Sequence, residues 1–125
     1  AISLDITPVV PTSRQLIQSY GGGRFRIGGV VYEGSVLVAR EETRLWSVLD
    51  PGVITLDSLD PVTDAPGILI VGCGSGFKAP PPDLRSSLKA QGIILEWMDT
   101  GAACRTFNVL LTEEREAVAA LIAVD

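Results

Sequence analysis

The feature that most constrains the fold is an apolar run, residues 68–71 (ILIV), that ends in the glycine loop GCGSG at residues 72–76. Four consecutive apolar residues are typical of a strand that is covered on both faces, as in a parallel sheet between layers. Three prolines follow, and because proline is tolerated in a first helical turn, a helix is expected to begin near Pro82. This order predicts the first half of a β-α-β unit.

The rest of the C-terminal half continues the alternation. Gly92 is expected to end the helix, and residues 93–98 (IILEWM) form the next predicted strand. Asp99 and Thr100 are typical capping residues before a helix that is predicted to begin near Gly101. Residues 117–124 are predicted as a buried strand, since a helix there would be apolar all round. The C-terminal half is therefore predicted to be β-α-β-α-β with a parallel core sheet.

The N-terminal half is predicted to be a β-meander. Residues 16–20, 24–27 and 30–39 carry strand patterns, and glycines separate the first three segments, with a bend expected at Gly34 and Ser35. Residues 45–48 form another short apolar segment, and a short helix is predicted after Thr55. The predicted fold class is α/β with a mixed sheet.

Composition and charge fit one globular domain that spans residues 1–125, with residues 1–15 expected as an extended N-terminal segment. The net charge of −5 argues against binding to nucleic acid or to anionic membrane surfaces. Membrane insertion is not expected, because no stretch approaches the roughly 18 continuous apolar residues of a spanning helix. The first five residues also lack the basic and apolar blocks of a signal peptide.

The chain has no histidine and only two cysteines, Cys73 and Cys104. The missing histidine excludes Ser-His-Asp and Cys-His mechanisms and any histidine-ligated metal. Two cysteines are too few for a four-thiolate zinc site, and no acidic cluster has the spacing of a metal loop. We therefore predict no metal and no cofactor, assign no catalytic residue, and expect a cytoplasmic location in which both thiols stay reduced.

The glycine loop is the first candidate ligand site, through Gly72, Gly74 and Gly76. A strand, loop and helix can direct backbone N–H groups at a phosphate or another small ligand. The spacing differs from the dinucleotide-binding fingerprint, because Phe77 stands where that motif has its last glycine. Lys78 also lacks the adjacent Ser or Thr of a phosphate-binding P-loop. The alternative interpretation is a positive-φ turn that closes the strand.

The second candidate site is the start of the last helix. The carboxyl ends of parallel strands share one edge of a sheet, so the glycine loop and Asp99–Thr100 are expected to meet where open α/β sheets bind ligands. Arg105 is unfavourable for the dipole in a first helical turn, which suggests an anion or a partner carboxylate such as Glu96. The alternative is that Thr100 and Asp99 only cap the helix and that Arg105 pairs with a structural acid.

The two cysteines carry weaker hypotheses. Cys104 near a helix N-terminus could have a lowered pKa and act as a nucleophile or a ligand contact. A redox pair of Cys73 with Cys104 is also conceivable, since each follows the end of a strand. The alternative for both residues is the usual one for cysteine, a small buried apolar side chain.

Four segments together resemble a known family. They are YGGGRFRI at 20–27, YEGSVLV at 32–38, LIVGCG at 69–74 and MDTGAACRTFNVL at 98–110, within a similarity that extends from about residue 16 to residue 124. The chain resembles the uncharacterised Mth-type domain family, which includes the mitochondrial assembly factor for respiratory complex I. The resemblance implies a three-layer β/β/α fold with a mixed sheet and a strand as the last segment. It implies no enzymatic reaction.

Two functional hypotheses follow. The first is a non-catalytic interaction or assembly module with a protein partner, related by family analogy to respiratory-complex assembly and using a cleft at the C-terminal strand edge. The second is a small-molecule or nucleotide-type binder, or a small enzyme, with its site at Gly72–Gly76 and the Asp99–Arg105 helix start. The oligomeric state and the identity of the partner or ligand are left open by the sequence.

Overall fold

A computed structural model describes residues 14–62 and 67–125 and shows a mixed α/β fold with two sheets and two helices. The prediction for residues 1–15 lies outside the described residues, except for its last two. The helices are α1 (Leu84–Ala90) and α2 (Thr100–Thr112), and two short 3-10 turns cover Pro51–Val53 and Asp57–Val62. The strands are β1 (Ile17–Gly21), β2 (Arg24–Ile27), β3 (Val30–Glu33), β4 (Val36–Val38), β5 (Thr43–Leu45), β6 (Gly67–Gly72), β7 (Ile93–Met98) and β8 (Ala117–Leu121).

The first three strands form a separate antiparallel sheet in the order β1-β2-β3, so the predicted meander is confirmed for these strands only. The predicted segment 30–39 divides into β3 and β4, and β4 and β5 belong to the other sheet. The β2–β3 turn has Gly28 and Gly29 at φ +56° and +85°, a left-handed pair that favours glycine and sets the tight two-residue hairpin. Phe25 and Ile27 are buried on the inner face, whereas the alternate residues Arg24 and Arg26 are exposed. One face of this small sheet therefore contributes to the core.

The second sheet has five strands in the order β5-β4-β8-β6-β7. Strands β8, β6 and β7 run parallel, while β4 is antiparallel to both β5 and β8, so the sheet is mixed as predicted. The apolar run in β6 is explained by its position between two neighbours with both faces covered. Val36–Val38 is likewise buried along its whole length, and Gly34 at φ +97° marks the bend where the chain passes from one sheet to the other.

The two crossovers place the helices on opposite faces of the large sheet. The chain moves outward from β6 to β7 through α1, then returns past β6 to β8 through α2. Crossovers between parallel strands are right-handed, so a crossover that runs in the opposite direction along the sheet places its helix on the opposite face. Leu84 and Leu88 of α1 pack with one core cluster, and Phe107 and Leu111 of α2 pack with the other.

The layers follow from these contacts. The small sheet and α2 lie together on one face of the large sheet, where Phe25 and Phe107 belong to the same core. The side chain of Asn108 fixes β1 to α2: its Oδ1 accepts from Ile17 N–H at 2.9 Å and its Nδ2 donates to Ile17 C=O at 2.8 Å. On the other face, α1 and the 3-10 turns cover the sheet. The order small sheet, large sheet, α1 is the β/β/α arrangement that the resemblance implies.

Sequence and structure differ most between residues 43 and 62. The predicted apolar strand at 45–48 is shifted, because β5 covers Thr43–Leu45 and the following Trp46 and Val48 are buried outside any strand. The indole Nε1 of Trp46 donates to the carbonyl of Ser58 at 2.8 Å, which anchors the 3-10 turns on the core. Within residues 14–62 and 67–125, neither helix has the length and apolar character required to cross a bilayer.

The two faces of α2 predict different mutational costs. Leu111 is buried, and its replacement by alanine should lower the free energy of unfolding by about 2–5 kcal/mol, since it leaves a cavity between α2 and the sheet. Val109 on the same helix is more than half exposed, and Val109→Ala should change stability by less than about 0.5 kcal/mol. Urea denaturation measures both, and equal losses would contradict this assignment of the helix faces.

Candidate functional site

The glycine loop and the start of α2 lie against each other at the carboxyl ends of β6 and β7. Gly72 ends β6 so close to α2 that a Cβ there would lie 2.9 Å from Thr100 Cα and 3.1 Å from a methyl of Leu121. Cys73 N–H donates to Met98 C=O at 2.8 Å, and Thr100 N–H donates to Gly74 C=O at 2.9 Å. The backbone of the loop is therefore bonded along the end of β7 and into the first turn of α2.

The hydroxyl of Thr100 joins three segments of the chain at this edge. It donates to the carbonyl of Ile122 at 2.8 Å and accepts from Gly74 N–H at 3.0 Å, and the residue is fully buried. Ile122 N–H in turn donates to Gly72 C=O at 3.0 Å. The crevice between the two chain reversals is thus filled by the protein's own hydrogen bonds, with Thr100 at its centre.

Asp99 is the N-cap of α2, and the helix begins at Thr100. Its carboxylate Oδ1 accepts from Ala102 N–H at 2.9 Å, the usual capping geometry. Gly101 is covered by the small sheet, since a Cβ there would lie 2.6 Å from the hydroxyl oxygen of Tyr20. A side chain at this position would have to displace the end of the exposed tyrosine ring.

The sequence suggested an ion pair between Arg105 and Glu96, but the structure shows a different partner for Arg105. Its guanidinium Nη1 donates to the Tyr20 hydroxyl at 3.4 Å, and both side chains are exposed. The reason is the rotation of α2: Arg105 lies on the side that faces β1, as does Asn108, while Thr106 faces β7 and contacts the sulfur of Met98. Arg105 is therefore directed away from the glycine loop.

Cys104 is not a nucleophile of lowered pKa. It is buried in the core between α2 and the large sheet, and this burial raises the pKa of its thiol to about 12; Arg105 lowers it and Asp99 raises it by smaller amounts. The predicted redox pair is also wrong, because Cys73 belongs to the core on the α1 face and Cys104 to the core on the α2 face. The large sheet separates the two free thiols.

The predicted ligand residues therefore fall into three groups. Gly72, Gly74, Asp99 and Thr100 are brought together, but their polar groups are bonded to one another or cap α2. Gly76 lies further along the exposed part of the loop, where its carbonyl accepts from the Cys73 thiol at 3.5 Å. Cys104 and Arg105 point elsewhere. In the part of the chain that the structure describes, no group of three or more Cys, Asp or Glu side chains could hold a metal ion.

A surface depression of about 190 Å³ lies beside the loop rather than between the two reversals. Gly74, Ser75 and Gly76 line it on the side of the loop, and Leu49 and Ile122 contribute apolar surface. Leu49 is 73% exposed, and Phe77, next to the depression in the loop, is 68% exposed. The sequence analysis did not identify Leu49 or Phe77 as site candidates. An aromatic residue between a glycine loop and three prolines is nevertheless a pattern that can indicate an exposed contact residue.

The hydroxyl of Thr100 gives the first test of this geometry. Thr100→Val keeps the shape but leaves Gly74 N–H and Ile122 C=O without their partner, so the free energy of unfolding should fall by about 1–3 kcal/mol. Thr112→Val makes the same exchange at an exposed position of α2 and should be neutral within about 0.5 kcal/mol. Chemical denaturation compares the two, and a neutral Thr100→Val would show that the hydroxyl does not hold the three segments together.

The buried thiol gives the second test. The pKa of Cys104 rises from 9.0 to about 12 in the folded chain, so the unfolded state loses this proton first as pH increases. The contribution of the thiol to stability is therefore complete below pH 9 and is lost as pH approaches 12. The measurement is the difference between wild type and Cys104→Ala, which isolates the contribution of this thiol. Wild type should show the steeper fall in unfolding free energy, and equal slopes would contradict the burial effect.

Comparison with known proteins places this geometry in a family. The family described as "Protein of unknown function (DUF498/DUF598)" matches residues 17–122. An uncharacterised protein of Rhodobacter capsulatus is 36% identical over 106 residues, which cover 85% of this chain and 82% of that protein. The NADH dehydrogenase [ubiquinone] 1 alpha subcomplex assembly factor 3 of Xenopus tropicalis is 32% identical over 109 residues, which cover 85% of this chain and 60% of that protein.

A solved structure supports the same assignment. A Bordetella pertussis protein described as a Mth938-like domain superposes with a TM-score of 0.78 and 26% identity, covering 97% of this chain and 92% of the other. This match confirms the Mth-type fold that the sequence motifs indicated. The chain spans about 60% of the length of the Xenopus assembly factor. By its sequence match and its fold, the chain belongs to the DUF498/DUF598 family, whose relatives include assembly factor 3 of NADH dehydrogenase.

Proposed function

We propose that this chain is a non-catalytic interaction module of the assembly-factor type, which binds an extended apolar segment of a partner protein beside the glycine loop. The observation that carries the proposal is the exposure of Leu49 and Phe77, at 73% and 68%, near a depression at the carboxyl edge of the sheet. Leu49 lines the depression, and Phe77 lies in the chain between its lining residues Gly76 and Lys78. Large exposed apolar side chains beside a concavity are typical of protein docking sites.

The rigid support beneath this surface favours docking. The loop backbone is held to Met98, Thr100 and Ile122, so the depression has a preformed wall that loses little conformational entropy on binding. The indole Nε1 of Trp97 donates to the carbonyl of Lys78 at 2.5 Å, which fixes the chain immediately after Phe77. The exposed ring is therefore presented from an anchored loop.

The polar groups of the crevice support a structural role over a catalytic one. The hydroxyl of Thr100 and the carboxylate of Asp99 both have intramolecular partners, and the Cys104 thiol is buried in its protonated form. A reaction at this edge would first have to break the bonds that join β6, β8 and α2. A binding function needs no such rearrangement.

The relatives support the proposed class of partner. A likeness to assembly factor 3 of NADH dehydrogenase favours a client among respiratory-complex subunits or the proteins that mature them. The proposed location is the cytoplasm, where both free thiols would stay reduced. The proposed unit of function is one domain that spans residues 1–125.

Site-specific photo-crosslinking tests the docking surface. A photoreactive amino acid at Phe77 should give a discrete covalent adduct in cells of the source organism, and mass spectrometry should identify a respiratory-complex subunit or maturation protein. The matched control is the same amino acid at Val109, which is also more than half exposed but lies on the outer side of α2. Equal adducts at both positions, or none at Phe77, would refute the proposed surface.

The competing function, a small-ligand or nucleotide-type site at the same loop, makes an opposite prediction. A thermal-shift screen with nucleotides and phosphorylated metabolites should show no stabilisation of the wild-type chain. A ligand present at 100 times its dissociation constant would stabilise the fold by about 2.7 kcal/mol, which is easily detected. A shift that disappears in Lys78→Ala, where the lysine lines the depression, would favour the ligand-binding function instead.

A further inference from the structure

The outer edge of β3 differs from the other exposed strand edges of the molecule. The free edge of β1 is covered by Asn108, which bonds both the N–H and the C=O of Ile17. The free edge of β7 is covered by Arg85, whose Nη1 donates to Leu95 C=O at 2.6 Å. Strand β5 is only three residues long. Such covers and short strands are how proteins prevent edge-to-edge pairing.

No strand or side chain among the described residues pairs with the outer edge of β3. Ile27 and Val30 flank the two-residue turn and face each other, so the backbone groups of Val30 and Tyr32 point toward β2. The alternation leaves the N–H and C=O groups of Val31 and Glu33 directed outward. Val31 is also 57% exposed, so both its backbone and its side chain are available.

The outer face of the small sheet carries charges that complement a second copy of itself. Arg24 Nε lies 3.2 Å from a carboxylate oxygen of Glu33, its cross-strand neighbour. Arg26, opposite Val31, has no ion-pair partner within the described residues. The outer face therefore presents the Arg26 guanidinium, without an ion-pair partner among the described residues, next to the open edge of β3. The exposed Glu33 carboxylate on that edge can accept a second cation besides Arg24.

We propose that two copies of this chain pair through their β3 edges, antiparallel and about a two-fold axis at Tyr32. In this register Val31 of each copy lies opposite Glu33 of the other, and the two residues exchange both backbone hydrogen bonds. The two three-stranded sheets then become one sheet of about six strands. Isologous pairing of this kind requires a self-complementary edge, and Val31, Tyr32 and Glu33 provide it.

The register also satisfies Arg26. The strand that carries Arg26 lies two strand spacings, about 10 Å, from the β3 strand of the second copy. Extended side chains of Arg26 and of Glu33 in the second copy can together span this distance across Val31. Each Glu33 would then lie between Arg24 of its own copy and Arg26 of the other. A row of alternating charges of this kind favours the proposed register over neighbouring ones, since other registers bring like charges together.

Charge-reversed variants test the pairing by complementation. Sedimentation equilibrium of the full chain should show self-association that Arg26→Glu and Glu33→Arg each weaken about tenfold or more, because each places like charges across the axis. An equimolar mixture of the two variants should associate like wild type, since every cross-copy contact is again between opposite charges. Arg44→Glu makes the same change of charge at an exposed arginine on β5 and should have no effect.

Amide hydrogen exchange distinguishes the other possible occupants of the edge. The amides of Val31 and Glu33 should become slower to exchange as protein concentration rises. Protection that does not depend on concentration would mean that another part of the same chain covers the edge. A chain that stays monomeric at millimolar concentration with both amides in free exchange would leave the edge to a different protein. Either result, or a mixture of variants that fails to associate, overturns the proposal.

Discussion

The buried hydroxyl of Thr100 is the contact on which the arrangement of the C-terminal edge depends. It bonds the loop after β6 and the end of β8, while its own backbone begins α2. A parallel sheet with helices on both faces opens a crevice where neighbouring crossovers leave in opposite directions, and here that point lies between β6 and β7. Thr100 occupies this crevice. Gly72 follows from the same constraint, because a side chain there would collide with the Thr100 backbone.

The closure of the crevice explains why a fold with a typical ligand-binding topology carries its candidate surface elsewhere. In open α/β sheets, backbone N–H groups at the switch point are available to a ligand. Here Gly74 N–H is bonded to Thr100, and Ala102 N–H is bonded to the Asp99 carboxylate. Exposed apolar groups remain beside the loop at Leu49 and directly after Gly76 at Phe77. The proposed docking of another protein chain uses this open surface.

Periodicity was sufficient to predict most elements of the fold from the sequence. The strands β6, β7 and β8 and both helices follow from apolar runs, glycine stops and the Asp-Thr cap, all of which are local signals. The division of the β-rich half into two sheets could not be predicted in this way. Whether β4 continues the meander or joins β8 depends on contacts between residues 36–38 and 119–121, which are distant in the sequence.

The roles of the site residues were harder to predict, because they depend on the direction in which each side chain leaves α2 and on the partner that it contacts. Sequence order placed Asp99, Thr100, Cys104 and Arg105 in one motif, but successive helical residues differ by about 100° in direction, so the motif is distributed around α2. Thr100 and Cys104 face the sheet, while Arg105 faces Tyr20 of the small sheet. No spacing rule could identify Tyr20 as the residue that covers Gly101, since 81 positions separate them.

The docking of the small sheet on α2 connects the surface beside the glycine loop with the open edge of β3. Tyr20 rests on the first turn of α2, Asn108 holds β1 further along the helix, and Gly23 N–H donates to Val124 C=O at 2.7 Å just beyond β8. The small sheet is thereby fixed to the helix whose first residue closes the crevice. The β1 edge of the small sheet faces α2 in this docking, so β3 is the outer edge of the small sheet. A partner bound at the glycine loop and a strand paired with β3 would therefore contact two surfaces that α2 and the end of β8 connect.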